Sequence, residues 1–272
     1  MTDLKFDRES TLALLSFNES LPSLPDFFLK IQEIAQDPDS SADDLAAVVR
    51  GDHATTAMLL KFANSLVYNP LQTPIGELSK AIARLGMKET IHIATAISLL
   101  SGISIPAGLA HVRNFWSHAF AMGMICEKMA KGADPQQKLC SHERAFMTGL
   151  LHDIGRAALS MRIDLAYFDR LDSQKNKQDL LEFEQDLYGV NHAEAGRIML
   201  ALWLFPADIC AAVGEHHSVH SPSYLGRLCY QANSYCEEYL PDELSFDLVT
   251  EKVMETIKEH PFDLSMVTAG DK

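Results

Sequence analysis

In the run Leu150-Leu151-His152-Asp153-Ile154-Gly155 an imidazole and a carboxylate stand side by side in an otherwise apolar segment. At helical spacing Asp153 shares a stripe with Phe146, Leu150 and Ala157, and an ionised carboxylate facing a core is costly unless a cation or several donors meet it. A metal ion is one such partner. A structural ion pair or a helix cap is another, but neither accounts for the adjoining histidine. Other histidines among the eleven occur in comparable settings. His118 shares a face with Met122, Ile125 and Met129, so its ring is expected to point inward; read alone, that is the pattern of a core histidine bonded to a carbonyl. His192 runs along Ala195, Gly196 and Met199, small residues that permit close helix approach, and alone it reads equally as a histidine of an N-terminal helical turn. His216 and His217 end a helix carrying Ile209, Ala212 and Val213, where a solvated pair favoured by the helix dipole is the alternative to a ligand pair. His53, His92, His111, His142, His220 and His260 lack such context and are read as surface or filler positions.

Taken jointly, one histidine, a His-Asp doublet, another histidine and a His-His pair follow one another on successive helices, which is how a helix bundle assembles a metal site. Mixed imidazole and carboxylate ligands suit one or two divalent transition ions, Fe, Mn, Zn or Ni, without choosing among them. No paired cysteine points to a structural zinc. In a catalytic setting such an ion would acidify a bound water and polarise a phosphoryl oxygen.

The elements that must position these residues are helices. Apolar residues recur at helical spacing throughout, and no alternating β-branched run is long enough for a sheet, so the fold class is all-α, a multi-helix bundle. Phe27, Phe28, Ile31, Ile34 and Ala35 give one amphipathic helix, stopped at Asp37-Pro38-Asp39. Ser41, with Asp44 three residues on, caps the helix of Leu45, Val48 and Val49. Met58, Leu59, Phe62 and Leu66 form a further stripe that ends near Asn69-Pro70. Leu78, Ile82 and Leu85 lead to Gly86, which can take a left-handed cap. Residues 91–100 are nearly all apolar and belong in an interior; the wider stretch 91–110 reads as a buried helix and a linker rather than a membrane span. Gly, Ser and Pro gather over 101–108, placing a boundary between an N-terminal helical subdomain, 1–105, and a metal-binding helical domain, 106–272. Helical periodicity resumes at Phe115, and the tail after Pro261 is expected to fray.

The chain has 272 residues and is 47% apolar, in the range of ordinary globular proteins. Lys and Arg number 23 against 37 Asp and Glu, a formal charge of −14 that disfavours a nucleic-acid backbone as partner. A local basic pocket for a small phosphate or nucleotide is compatible with that balance. The five cysteines show neither Cys-x-x-Cys spacing nor the density of a disulfide scaffold, and the opening residues alternate in charge instead of forming an export signal. A cytoplasmic location, with no membrane partner, is the expectation.

Seven stretches, in order, resemble the HDOD family: Leu21-Pro22-Ser23-Leu24-Pro25, Leu60-Lys61-Phe62-Ala63-Asn64-Ser65, Ala81-Ile82-Ala83-Arg84-Leu85-Gly86, Phe115-Trp116-Ser117-His118, Gly149-Leu150-Leu151-His152-Asp153-Ile154-Gly155, His192-Ala193-Glu194-Ala195-Gly196 and Glu215-His216-His217. That family is a signalling branch of the HD superfamily of metal-dependent phosphohydrolases. The resemblance implies an all-helical HDOD module, the two subdomains together, with a bacterial regulatory role toward signalling proteins. It also implies that His118, His152 and Asp153 hold a first metal, and that His192, His216 and His217 match positions serving a second in the HD-GYP branch, whose members hydrolyse cyclic di-GMP. The superfamily's late ligand aspartate falls at Asn233, a poorer and uncharged ligand, and Ser218-Val219-His220-Ser221-Pro222 stands where a Gly-Tyr-Pro loop would follow. Arg156 replaces a common lysine and keeps a cation for a phosphate. The expectation is a metal-binding regulatory module that leans away from catalysis. The alternative is a phosphohydrolase of nucleotides or cyclic dinucleotides, with Asp153 and Arg156 as its catalytic residues.

Overall fold

The structure is a computed structural model that describes residues 6–16, 25–64, 68–102, 105–136, 138–173, 179–241 and 248–268. Among the described residues there are sixteen helices and no strand. In chain order they are α1 Arg8–Ser16, α2 Asp26–Gln36, α3 Ala42–Arg50, α4 His53–Ala63, α5 Leu78–Leu85, α6 Met87–Gly102, α7 Leu109–Ala133 and α8 His142–Leu151. They continue as α9 Ile154–Arg162, α10 Tyr167–Asp172, α11 Leu180–Tyr188, α12 His192–Leu202, α13 Ala207–Gly214, α14 Tyr224–Tyr239, α15 Val249–Glu259 and α16 Ser265–Thr268. No helix among the described residues is long and apolar enough to cross a membrane.

The helices fall into two compact units, one of Met1–Leu21, Ile105–Leu244 and Glu259–Lys272, the other of Pro22–Ser104 and Ser245–Lys258. A single cut between 105 and 106 therefore does not describe the packing. Helix α1 packs against α9 and α12 in the first unit. Backbone and side-chain bonds fix it there: Phe6 N–H donates to the Leu187 carbonyl at 2.8 Å, and the Thr11 hydroxyl donates to the Tyr188 carbonyl at 2.6 Å.

In the second unit, α2 stops because Asp37 takes an extended backbone (φ −90°, ψ 111°) ahead of Pro38, whose ring disfavours a helical predecessor. Ser41 and Asp44 form a reciprocal capping box at the start of α3. Ile31, Leu45, Val49, Leu59, Ile82 and Ile93 are among its fully buried side chains, and α6 contributes Ile93, Ala94 and Ile97 to that core as its composition predicts. Leu66 lies outside the described residues. Gly86 has the positive φ expected of it (85°), but its ψ of 156° is extended, so the chain leaves α5 without a left-handed cap and enters α6 one residue later.

In the first unit the 25-residue α7 is the central strut, beginning at Leu109, six positions before the periodicity of Phe115 became readable. It packs on α8, and a Cβ on Gly149 would lie 2.5 Å from the Met122 carbonyl oxygen, so the two backbones meet where only glycine fits. Helices α9 and α12 repeat the device: a Cβ on Gly155 would stand 1.8 Å from the His192 carbonyl oxygen and 2.5 Å from the Gly196 nitrogen. Trp116, Phe120, Met122, Phe146, Tyr167 and Tyr188 fill the core around these contacts. The end of the chain docks instead of fraying as far as Thr268: Val267 is fully buried, and the Arg227 side chain on α14 donates to its carbonyl at 3.2 Å.

Closing α9 on α12 around an added methyl is not achievable by rotamer change, because both obstructing atoms are backbone. Gly155→Ala should therefore destabilise the protein by about 3 kcal/mol, a drop in Tm of about 10 °C. Gly108→Ala, whose new Cβ meets only the His111 ring at 3.5 Å, should lie within about 0.5 kcal/mol of wild type in the same thermal scan. Equal melting of the two variants would refute the close-approach reading.

Candidate metal centre

Helix α8 ends at Leu151 and α9 begins at Ile154, so His152 and Asp153 occupy the turn between them. The continuous stripe expected from Phe146 through Ala157 is thus interrupted: Asp153 sits in the bridge region (φ −96°, ψ 8°), which ends one backbone ladder and starts the next. Asp153 stands at the N-cap of α9, yet its side chain accepts no backbone N–H there. Its carboxylate is turned elsewhere.

Four segments of the same unit converge on it. The Asp153 Oδ1 atom is 3.2 Å from His192 Nε2 and 3.6 Å from both His152 Nε2 and His216 Nε2. His192 Nε2 is in turn 2.9 Å from His217 Nε2 and 3.3 Å from His216 Nε2, and His118 Nε2, from α7, is 3.2 Å from His152 Nε2. These ligand atoms form two compact groups, His118 with His152 and Asp153, and Asp153 with His192, His216 and His217. Asp153 belongs to both. Each of the six residues that the sequence nominated on buried faces is therefore brought to one place. His152, His192 and His216 are almost fully buried, so the surface pair envisaged for His216 and His217 is not formed.

The far side of these rings determines what they can do. His152 Nδ1 donates to the Gly149 carbonyl at 2.8 Å and His216 Nδ1 to the Val213 carbonyl at 2.6 Å. A carbonyl oxygen can only accept, so these bonds place the proton on Nδ1 and leave Nε2 as a lone pair in the neutral ring. Those lone pairs face one another's neighbours and an ionised carboxylate. Burial keeps His152 well below the ordinary imidazole range, lowers His118, and with the adjacent His216 and His192 rings takes His217 to about 3, so these rings are neutral ligands in waiting. Burial works against an ionised Asp153 as well, yet the His152 ring, the Arg156 guanidinium and the His192 ring hold its carboxyl well below the usual range. Burial also opposes a charged His192, but Glu184 and Asp153 override it and raise its pKa to about 9. Positive charge is favoured at the point where these Nε2 atoms meet. The donor set, five imidazoles with one carboxylate, three of the rings with their outer nitrogens already anchored, fits a divalent transition ion.

Arg156 lies one turn into α9, its Nη1 3.1 Å from Asp153 Oδ2 and its guanidinium 5.7 Å from the Phe168 ring centre. A cavity of about 340 Å³ opens beside the cluster, with His118, Asp153, Arg156, His192, His217 and Asn233 in its wall. Asn233 is thus beside the centre, but its amide donates to Glu237 Oε1 at 2.9 Å. His111, read from sequence as filler, also lines this cavity, with Nε2 held 2.8 Å from Asp172 Oδ2. Glu184 and its partner Tyr167 also escaped sequence reasoning. Glu184 on α11 is fully buried; its Oε2 accepts from both the backbone N–H and Nδ1 of His192 at 2.7 Å, and its Oε1 accepts from the Tyr167 hydroxyl. The available signal was an acidic residue four positions before Tyr188, on the buried face of a short helix whose other acids, Glu182 and Asp186, look alike in sequence.

The family model described as HDOD domain matches residues 21–219. A curated relative from Treponema pallidum (strain Nichols), described as an uncharacterized protein, is 22% identical over 207 residues, 75% of this chain and 39% of its own length. This chain thus spans about two fifths of that relative. Among solved structures, an HDOD domain protein of unknown function from Geobacter sulfurreducens superposes with a TM-score of 0.70 at 21% identity, covering 97% of this chain and 94% of its own. A candidate phosphohydrolase from Shewanella amazonensis SB2B gives a TM-score of 0.67 at 20% identity, with 95% and 98% covered, and a candidate signal transduction protein from Marinobacter aquaeolei VT8 gives 0.70 at 18%, with 96% and 63% covered. At these identities the structures speak for a shared fold. With its family model spanning most of the sequence and an all-helical fold in common with these proteins, this chain belongs to the HDOD domain family.

Proposed function

We propose that the chain is an HDOD-type signal-transduction module of a bacterial cytoplasm, in which a divalent transition ion, or two, held beside Asp153 completes a binding cavity for a small phosphate or nucleotide. The observation that carries this reading is the meeting of Nε2 atoms from His192, His216 and His217 at Asp153, with His152 facing the same carboxylate oxygen and His118 next to His152. His118, His152 and Asp153 would hold one ion and His192, His216 and His217, with Asp153, the other. Such an ion supplies positive charge for a phosphoryl oxygen and acidity to water. The chain's own part is to keep His118, His152 and His217 neutral by burial, to orient His152, His192 and His216 through their outer nitrogens, and to present Arg156 along the cavity wall as a cation for a phosphate. Occupancy of the cavity would be passed to signalling proteins.

Two features favour binding without turnover. Asn233 offers an uncharged amide, its Nδ2 bonded to Glu237, where a ligand carboxylate is expected, and Ser218-Val219-His220-Ser221-Pro222 stands where a Gly-Tyr-Pro loop would follow the histidine pair. The phosphohydrolase alternative, with Asp153 and Arg156 acting on a nucleotide or cyclic dinucleotide, is favoured by one specific observation, that the cavity reaches His118, Asp153, His192 and His217 directly.

Protein purified without chelator should carry at least one equivalent of transition metal by plasma emission analysis. Asp153→Ala should lose every tightly held ion, whereas His118→Ala should lose at most the ion of its own group; a metal-free wild type would reduce the protein to a helical scaffold. The metal-loaded wild type should hydrolyse a panel of phosphoesters no faster than Asp153→Ala does. Turnover that disappears in both His152→Ala and Asp153→Ala, with helical content retained, would instead establish the phosphohydrolase. Asn233→Asp, which adds a carboxylate to the cavity wall, should tighten metal binding by about tenfold, or 1.4 kcal/mol, without creating turnover. An unchanged affinity would place residue 233 outside the reach of the ion.

A further inference from the structure

Glu184 is a buried ionisable group that the proposed centre does not use as a ligand. Its carboxylate has no exposure, and both oxygens are occupied, Oε2 by two donors of His192 and Oε1 by the Tyr167 hydroxyl. Neither oxygen belongs to the group of atoms that could hold an ion. The other outer nitrogens seen to be anchored, those of His152 and His216, rest on neutral carbonyls. His192 alone among these three rests on a carboxylate, and His192 is also the ring whose Nε2 lies nearest to Asp153, His216 and His217 together.

We infer that Glu184 is a positioning residue for the metal centre, fixing the tautomer and plane of His192 and supplying a buried negative charge that makes this imidazole the strongest donor of its group. The inference rests on the metal reading above. A carboxylate accepting from Nδ1–H leaves the Nε2 lone pair directed away from it and increases its basicity. The bond from the His192 backbone N–H to the same oxygen ties the carboxylate to the first residue of α12, so ring and helix start are set as one body. Charge argues the same way. Asp153 and Glu184 are two buried carboxylates, and Arg156, which bonds Asp153 and lies against Tyr167, is one guanidinium. A proton or a metal ion at the imidazoles restores the balance, and Glu184 raises the attraction for either. Tyr167 completes the support by satisfying the second oxygen.

The test uses the full chain as wild type, Glu184→Ala and Glu184→Gln, with Co²⁺ as the probe. Titration is followed by the visible d–d bands and by equilibrium dialysis, and the His192 Nδ1–H proton is observed by NMR in the metal-free protein. The inference predicts a 10- to 100-fold loss of affinity in Glu184→Ala at the group of His192, His216 and His217. A smaller loss is expected in Glu184→Gln, whose amide oxygen keeps the two hydrogen bonds from His192 and drops the charge. A low-field Nδ1–H resonance should be present in wild type, weaker in its downfield shift in Glu184→Gln and lost in Glu184→Ala. Wild-type Co²⁺ affinity and band intensity in a folded Glu184→Ala would overturn the role of Glu184 while leaving the centre standing. Should Glu184→Ala not fold, wild-type affinity together with an unshifted Nδ1–H resonance in Glu184→Gln would do the same. No Co²⁺ binding by wild type would remove the metal centre itself and this inference with it.

Discussion

The interaction on which the rest depends is that between the Asp153 carboxylate and the imidazole nitrogens directed at it. A buried carboxylate is tolerated when its charge is answered, and here Arg156 answers one oxygen while the other faces His192, His152 and His216 within 3.2 to 3.6 Å. Because carbonyls hold the outer nitrogens of His152 and His216, those two rings cannot answer it with a proton of their own while neutral. His192, whose Nδ1–H goes to Glu184, answers it through Nε2 once protonated, and its raised pKa expresses that demand. A proton or a metal ion at the same point satisfies it, and the number of unprotonated nitrogens gathered there exceeds what one proton needs.

The architecture of the first unit follows from bringing these groups together. The His152-Asp153 turn has to lie against the start of α12, and Gly155 makes that approach sterically open. Gly149 lets α8 sit close on α7, which carries His118. The turn after α13 then delivers His216 and His217 opposite Asp153. Dense packing of Trp116, Phe120, Phe146 and Tyr167 around them supplies the stiffness.

Helical class and the residues of the centre were legible because each is a local property. A 3.6-residue stripe, a Pro after an acid, or a histidine among small apolar residues can be read within a dozen positions, and α2, α3 and α5 lie where those signs put them. What was not legible depends on contacts far apart in sequence. The interruption between Leu151 and Ile154 leaves no proline or paired glycine to announce it. Allegiance of α1 to the C-terminal unit is decided by Phe6, Thr11 and their partners at Leu187 and Tyr188. His111 enters the cavity because α7 begins earlier than its apolar periodicity does, and Glu184 is distinguished from Glu182 only by the partners waiting for it.

The most direct measurement of the central claim is anomalous diffraction from crystals grown with excess Mn²⁺ or Zn²⁺, with data collected on both sides of the metal edge. The account requires a peak bounded by Asp153 Oδ1 and the Nε2 atoms of His192, His216 and His217, with or without a second toward His118 and His152. Density free of any anomalous signal there, with these imidazoles turned to separate partners, would contradict it.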